Sequence, residues 1–158
     1  MPIEYVQLQD VDPQAIIALM NDPLVRKQMP LAFDDFNEQD CENFVKVKQQ
    51  LWQEHGYGPW AFVVDGEFAG WGGLQPEDGI PDLALVLSPK YWGIGKDLAK
   101  QIIEKAFTQM QIEYLTVLFP PTRTKVEGLL KLGFKQTGKQ LIEGKEFIRY
   151  GLRSMDWP

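Results

Sequence analysis

Gly93 and Gly95 stand directly ahead of a stretch in which Leu98, Ala99, Ile102, Ile103, Ala106, Phe107 and Met110 recur at three- and four-residue spacing. That recurrence gives a helix with one apolar face, an opposite face of Asp97, Lys100, Gln101, Glu104 and Lys105, and a start at or just after Gly95. The first turn of a helix leaves backbone N–H groups unpaired and carries partial positive charge, while glycines let a ligand approach the main chain. Such a turn can receive phosphate oxygens. The other reading is that the two glycines only connect a strand to a helix. Elsewhere the reactive residue types are sparse. His55 stands beside Gly56 with no spaced carboxylate or cysteine and reads as a helix-end cation, and Cys41 reads as a small core residue. One His and one Cys give no metal-ligand spacing, so no metal is expected.

The elements that hold the glycine turn follow from local pattern. Residues 83–87 are an almost unbroken apolar run, which Pro89 stops because proline has no N–H for a ladder. Residues 3–8 alternate as a first strand. Asp12 and Pro13 start a helix with Ile16, Ile17, Leu19 and Met20 on its apolar side, and Asn21, Asp22 and Pro23 end or restart it. Residues 29–37 are irregular, and a second helix from about Asn37 carries Cys41, Phe44, Val45, Lys48, Leu51 and Trp52 along one side until His55 and Gly56. Residues 60–64 and 67–73 read as strands joined by the two-residue turn Asp65, Gly66, and Gly70, Gly72 and Gly73 permit a bulge or close backbone approach. Residues 80–87 feed the glycine turn. After the helix, residues 114–119 read as a buried strand ended by Pro120 and Pro121, and Thr122 or Thr124 caps a short helix running to Leu132. Residues 134–141 and 145–152 pair as a hairpin around Glu143 and Gly144. Strands alternating with helices require a mixed α/β sheet.

At 158 residues one domain is expected, spanning residues 1–158 and able to bury a core without staples. A single cysteine excludes an internal disulfide and suits a reducing compartment. Residues 1–8 lack a signal pattern and no apolar run approaches the roughly 18 residues of a membrane span, so no membrane is expected and the expected location is cytoplasmic. A net charge of −6 argues against nucleic acid and favours neutral or cationic partners.

The run Lys90, Tyr91, Trp92, Gly93, Ile94, Gly95 resembles the acetyl-CoA pyrophosphate loop of the GNAT superfamily of N-acetyltransferases, written Gln/Arg-x-x-Gly-x-Gly/Ala. Pro89 to Gly93 also resembles the P-x-Y-W-G of the branch that acetylates N-termini of ribosomal proteins (RimJ/RimL-like). Fixed by the proline and tryptophan, the register puts Trp92 in the Gln/Arg place, Gly95 as the central glycine and Asp97 in the last small position. Fixed by the helix face, it makes Gly93 and Gly95 the motif glycines and Lys90 the Gln/Arg substitute. The second register is preferred, because the apolar face must pack on the sheet whatever the loop does. Gly58, Pro59, Trp60, Ala61, Phe62, then Gly70, Trp71, Gly72, Gly73, Leu74, resemble the second and third strands of the same branch. Lys131, Leu132, Gly133, Phe134 resemble the E-K-x-G-F ending of its last helix, and Val117 to Pro121 the strand before it.

The resemblance covers about residues 58–152. It implies a mixed, mostly antiparallel sheet of six to seven strands with about four helices, and an acyltransferase with acetyl-CoA as cosubstrate. A primary amine of a small molecule or a peptide N-terminus would attack the thioester directly. Two helices ahead of the main sheet would wall the acceptor side, lined by Pro30, Phe33, Asp34, Asp35 and Phe36, and the acidic, aromatic residues 33–42 would favour a cationic acceptor. Asp82, where the branch carries the acid of E-I-G-Y, would take the amine proton through water. The competing reading is a strand-end aspartate facing solvent, and Glu77 and Asp78 are looser candidates. Backbone N–H groups near Leu85, Val86 and Leu87 would meet the oxyanion. Lys90, Trp92, Gly93, Ile94, Gly95, Lys96 and Asp97 would surround the diphosphate. Where relatives place a general acid, this chain has Leu129, Thr122 and Lys125. Tyr91 or Thr122 could substitute, or Lys125 could pair with the adenosine phosphates. A noncatalytic acyl-CoA-binding module is the second expectation, and a homodimer through an edge strand is left open.

Overall fold

Left-handed two-residue turns set the strand pairing. In the structure, a computed structural model describing residues 2–29 and 35–157, Asp65 and Gly66 have φ of 51° and 79°, Asp78 and Gly79 of 54° and 77°, and Glu143 and Gly144 of 50° and 79°. Positive φ at both central residues matches the right-handed twist of the flanking strands. The first turn joins β2 (Pro59–Val64) to β3 (Glu67–Glu77), the second joins β3 to β4 (Ile80–Leu87), and the third joins β6 (Lys135–Ile142) to β7 (Lys145–Arg153). With β1 (Ile3–Val6) and β5 (Tyr114–Phe119), these make a seven-stranded sheet in the order β1-β2-β3-β4-β5-β7-β6. The β4–β5 pair is parallel. Five α-helices accompany the sheet among the described residues, so the fold is mixed α/β.

The chain divides into two compact units, one of residues up to Leu74 with Leu85–Gly95, the other of Gln75–Ala84 with the residues from Lys96 onward. In the first, β1, β2 and β3 pair antiparallel, with Tyr5 opposite Phe62 and Ala61 opposite Trp71. The register slips between Phe62 and Val63. A Cβ at Gly70, whose φ is 148°, would strike the Val86 carbonyl, so the close approach expected of this glycine is present. Asp12 caps α1 (Pro13–Asn21) by accepting from the Gln14 N–H at 3.0 Å, and Asp22 restarts the chain as α2 (Pro23–Lys27). Asn37 and Asp40 form a reciprocal capping box on α3 (Glu38–His55), which ends at Gly56 with φ of 73°. Leu8, Ile16, Leu19, Met20, Val25, Phe36, Cys41, Ala61 and Trp71 form its buried core. Cys41 is thus a core residue.

In the second unit α4 (Gly95–Thr108) buries Leu98, Ile102, Ile103 and Ala106 and exposes Lys96, Asp97, Lys100, Gln101 and Glu104. Six residues of β5 pair antiparallel with β7, which pairs with the edge strand β6. No helix among the described residues is long and apolar enough to cross a membrane.

Three sequence expectations change. β3 runs to Glu77 rather than stopping at Gly73, because the Asp78–Gly79 turn returns β4 alongside it. The last helix, α5 (Glu127–Lys131), is short and capped by neither Thr122 nor Thr124: its N-cap is Val126, which has no side-chain acceptor. Among the described residues three α-helices, not two, precede β2, since Asp22 and Pro23 restart rather than end the first. The expected acceptor-wall residues Pro30, Phe33 and Asp34 lie outside the described residues.

Candidate functional site

Asp82 lies on β4 behind Pro81, and its side chain is buried at 6% exposure. The residue opposite it on β5 is Thr116. The Thr116 hydroxyl donates to Asp82 Oδ1 at 2.7 Å. Burial disfavours the charged carboxylate and pushes its pKa from 3.8 up to about 7; the Thr116 hydrogen bond opposes this, and the negative charge of Glu77 adds to it. A solvent-facing strand-end aspartate is excluded. What remains is a buried carboxyl whose pKa lies near neutrality. Thr116 was missed in the sequence, where its signal was a lone hydroxyl inside the apolar run Leu115, Thr116, Val117. Asp78 is exposed in the turn, and Glu77 is the last residue of β3.

Leu85, Val86 and Leu87 close β4. After them Ser88 N–H donates to the Ala69 carbonyl at 2.9 Å, and the chain turns into a 3-10 helix over Pro89–Ile94. The expected open glycine turn is therefore corrected. The 3-10 segment runs without a break into α4, and the Gly95 amide already donates to the Trp92 carbonyl. Gly95 has helical φ and ψ of −57° and −42°, and neither it nor Gly93 has positive φ. Any residue could adopt this backbone, so conformation does not demand glycine here. What the two glycines provide is bare main chain: a Cβ at Gly93 would meet nothing within 4 Å, and one at Gly95 would only touch Leu87 at 3.6 Å.

Three side chains fasten this segment. Tyr91 is buried and its hydroxyl donates to Glu67 Oε1 at 2.8 Å; Lys90 Nζ reaches the same oxygen at 3.1 Å and lies 5.5 Å from the Tyr91 ring centroid. The hydrogen bond from Tyr91, then that from Lys90, holds the Glu67 carboxyl below its usual range, and Glu67 in turn raises the pKa of both partners. Lys90, expected beside the diphosphate, is ion-paired with Glu67, a residue that sequence reasoning did not single out. The Trp92 indole donates to the Leu87 carbonyl at 2.8 Å while the residue is 45% exposed. Ile94 is half-buried; Lys96, Asp97, Thr122 and Lys125 are exposed. A second missed residue, Arg123, stacks its guanidinium 3.9 Å over the Phe119 ring at the end of β5. Among the described residues no group of three or more His, Cys, Asp or Glu side chains could hold a metal ion.

A mixed sheet with a parallel β4–β5 pair, a glycine-bearing 3-10 segment leading into an amphipathic helix, and a buried carboxyl on the strand before it are the frame of the site. Over residues 3–135 the sequence matches the Acetyltransferase (GNAT) domain family, and the chain belongs to that family. Solved structures agree in fold. AAC(6')-Ib in complex with ribostamycin and coenzyme A superposes with a TM-score of 0.78 at 11% identity, covering 98% of this chain and 93% of that one. A GNAT-family acetyltransferase from Bacillus anthracis gives 0.72 at 20% identity over 97% and 94% of the two chains. An acetyltransferase from Agrobacterium tumefaciens gives 0.75 at 16% identity over 96% and 90%.

Proposed function

We propose that this GNAT domain is an N-acetyltransferase that moves the acetyl group of acetyl-CoA to a primary amine of a small molecule or a peptide N-terminus. The observation that carries the reading is Asp82, buried, hydrogen-bonded to Thr116 and titrating near pH 7. Asp82 takes a proton from the acceptor amine through water, the neutral nitrogen attacks the thioester carbonyl, and the C–S bond breaks as the tetrahedral intermediate collapses. Main-chain N–H groups of Leu85, Val86 and Leu87 are the proposed oxyanion donors. The diphosphate is assigned to residues 92–97, where Gly93 and Gly95 leave the main chain bare and Lys96 is an exposed cation, with Thr122 and Lys125 as further contacts. A thiol of pKa about 8.5 leaves near neutral pH without a dedicated acid. The sequence likeness to the ribosomal-protein N-terminal branch, a single catalytic domain over residues 1–158 and a cytoplasmic location belong to the same proposal.

A noncatalytic acyl-CoA-binding module is the second reading. The residues that stand where relatives place a general acid favour it: Leu129, Thr122 and Lys125 offer no such group. One experiment separates the two. Acetyl-CoA at about 100 times its dissociation constant adds roughly 2.7 kcal/mol of stability under either, seen as a raised melting temperature. Free thiol released in the presence of an amine, and lost in Asp82→Asn, is expected only of the enzyme. Thermal stabilisation with no thiol release from any amine tested overturns the transferase reading.

A further inference from the structure

The 3-10 segment Pro89–Ile94 is six residues long. Runs of this helix beyond about three or four residues are uncommon, because its hydrogen bonds are poorly aligned, so a longer one needs holding from outside. Here β3 does the holding. As the chain leaves β4 it runs back along β3: a Cβ on Gly70 would strike the Val86 carbonyl, the Ser88 N–H donates to the Ala69 carbonyl at 2.9 Å, and the Tyr91 hydroxyl donates to Glu67 Oε1 at 2.8 Å. The first two are main-chain approaches. The third is made by side chains, past the end of the strand.

Glu67 stands on fixed main chain. It is the first residue of β3, directly after the Asp65–Gly66 turn and opposite Val64. Its carboxyl collects two neighbouring donors of the 3-10 segment, the Tyr91 hydroxyl and Lys90 Nζ, the latter 3.1 Å from Oε1 and 3.4 Å from Oε2. Tyr91 is buried, so the ring is anchored while its hydroxyl reaches the carboxyl, and Gly93 follows two residues on. The Trp92 indole bond to the Leu87 carbonyl ties the segment to the end of its own strand rather than to β3. Glu67, Ala69 and residues 85–95 all belong to one compact unit. Bare main chain grips an anion well when its shape is set beforehand, since a segment that is ordered only on binding loses affinity by the fraction of time it is competent.

We propose that Glu67 is a positioning residue for the acetyl-CoA diphosphate: acting through Tyr91 and Lys90, it keeps the main chain at Gly93 in the shape that receives phosphate oxygens. This rests on the assignment of the diphosphate to this segment and adds the side chain that holds the segment in place.

The test measures CoA binding to the full chain by calorimetry, and kcat and KM with acetyl-CoA and with S-acetylpantetheine, a donor that has the thioester and no diphosphate. Glu67→Ala is expected to weaken CoA about five- to twenty-fold, the range that loss of a charge-assisted hydrogen bond supports. The preference for acetyl-CoA over S-acetylpantetheine is expected to shrink by the same factor, through KM more than kcat. Tyr91→Phe lacks one hydroxyl and is expected to weaken CoA in the same direction, which gives an answer even if Glu67→Ala does not fold. Glu67→Gln keeps an acceptor oxygen for Tyr91 and is expected to recover most of the affinity. Wild-type CoA affinity in both Glu67→Ala and Tyr91→Phe overturns the proposal. So does an equal loss with the two donors, which would make Glu67 a support of the domain at large. Absence of CoA binding in the wild type sinks the diphosphate assignment beneath it. CoA binding without acetyl transfer sinks the transferase reading, and the calorimetry still decides the role of Glu67.

Discussion

A carboxyl with its pKa at about 7 is part base and part acid at neutral pH, and Asp82 owes that to where it lies. If Asp82 is the base, kcat/KM rises with pH through a midpoint near 7 and levels off above it. Thr116→Val removes the donor that favours the carboxylate, so that midpoint is expected to move to higher pH, read from a pH–rate profile. Stability runs the other way. Between the unfolded value near 3.8 and the folded value near 7, the folded chain keeps a proton that the unfolded chain has lost. The contribution of Asp82 is therefore fully present below the unfolded value and lost as pH rises through about 7. Relative to Asp82→Asn, the wild type is expected to lose roughly 1–3 kcal/mol between about pH 4 and about pH 8, measured by urea denaturation. Parallel curves for the two proteins would contradict the buried titration. The sequence resemblance picked out Asp82 but left it between base and surface group; the choice needed Thr116 brought opposite it from 34 positions away.

At the scale of elements, glycines that look alike in the sequence do different work. Gly70 is held at φ of 148° with the Val86 carbonyl in the space a side chain would need, so Gly70→Ala is expected to cost about 3 kcal/mol or more, measured by denaturation. Gly93 has open space and an ordinary backbone. Gly93→Ala is therefore expected to raise stability by about 0.5–1 kcal/mol while weakening acetyl-CoA at least about ten-fold, measured by melting and by titration. Stabilisation without loss of affinity would take the diphosphate away from this turn. Caps and turns were the most legible elements: Asp12 with Pro13, Asn37, Gly56, Asp65 with Gly66 and Glu143 with Gly144 all act as their types and spacing predict. The 3-10 helix over Pro89–Ile94 was not legible, because its fastening comes from Glu67, more than twenty residues upstream.

Over the whole molecule, a net charge of −6 disfavours nucleic acid, and fluorescence anisotropy with a duplex oligonucleotide at physiological salt is expected to show no saturable binding. Amphipathic period, proline stops and turn pairs are local properties, and by themselves they determined most of the element order and the mixed sheet, while the motif residues around Gly93 and Gly95 carried a resemblance to the GNAT superfamily that the domain match bears out. Tertiary structure alone decided how far Asp82 is buried, that Thr116 is its partner, and that Lys90 is paired with Glu67. The physical reason is that hydrogen-bonding and helical period act between neighbours in the chain. Desolvation and charge pairing depend on distances between residues far apart in sequence, which only the folded chain defines.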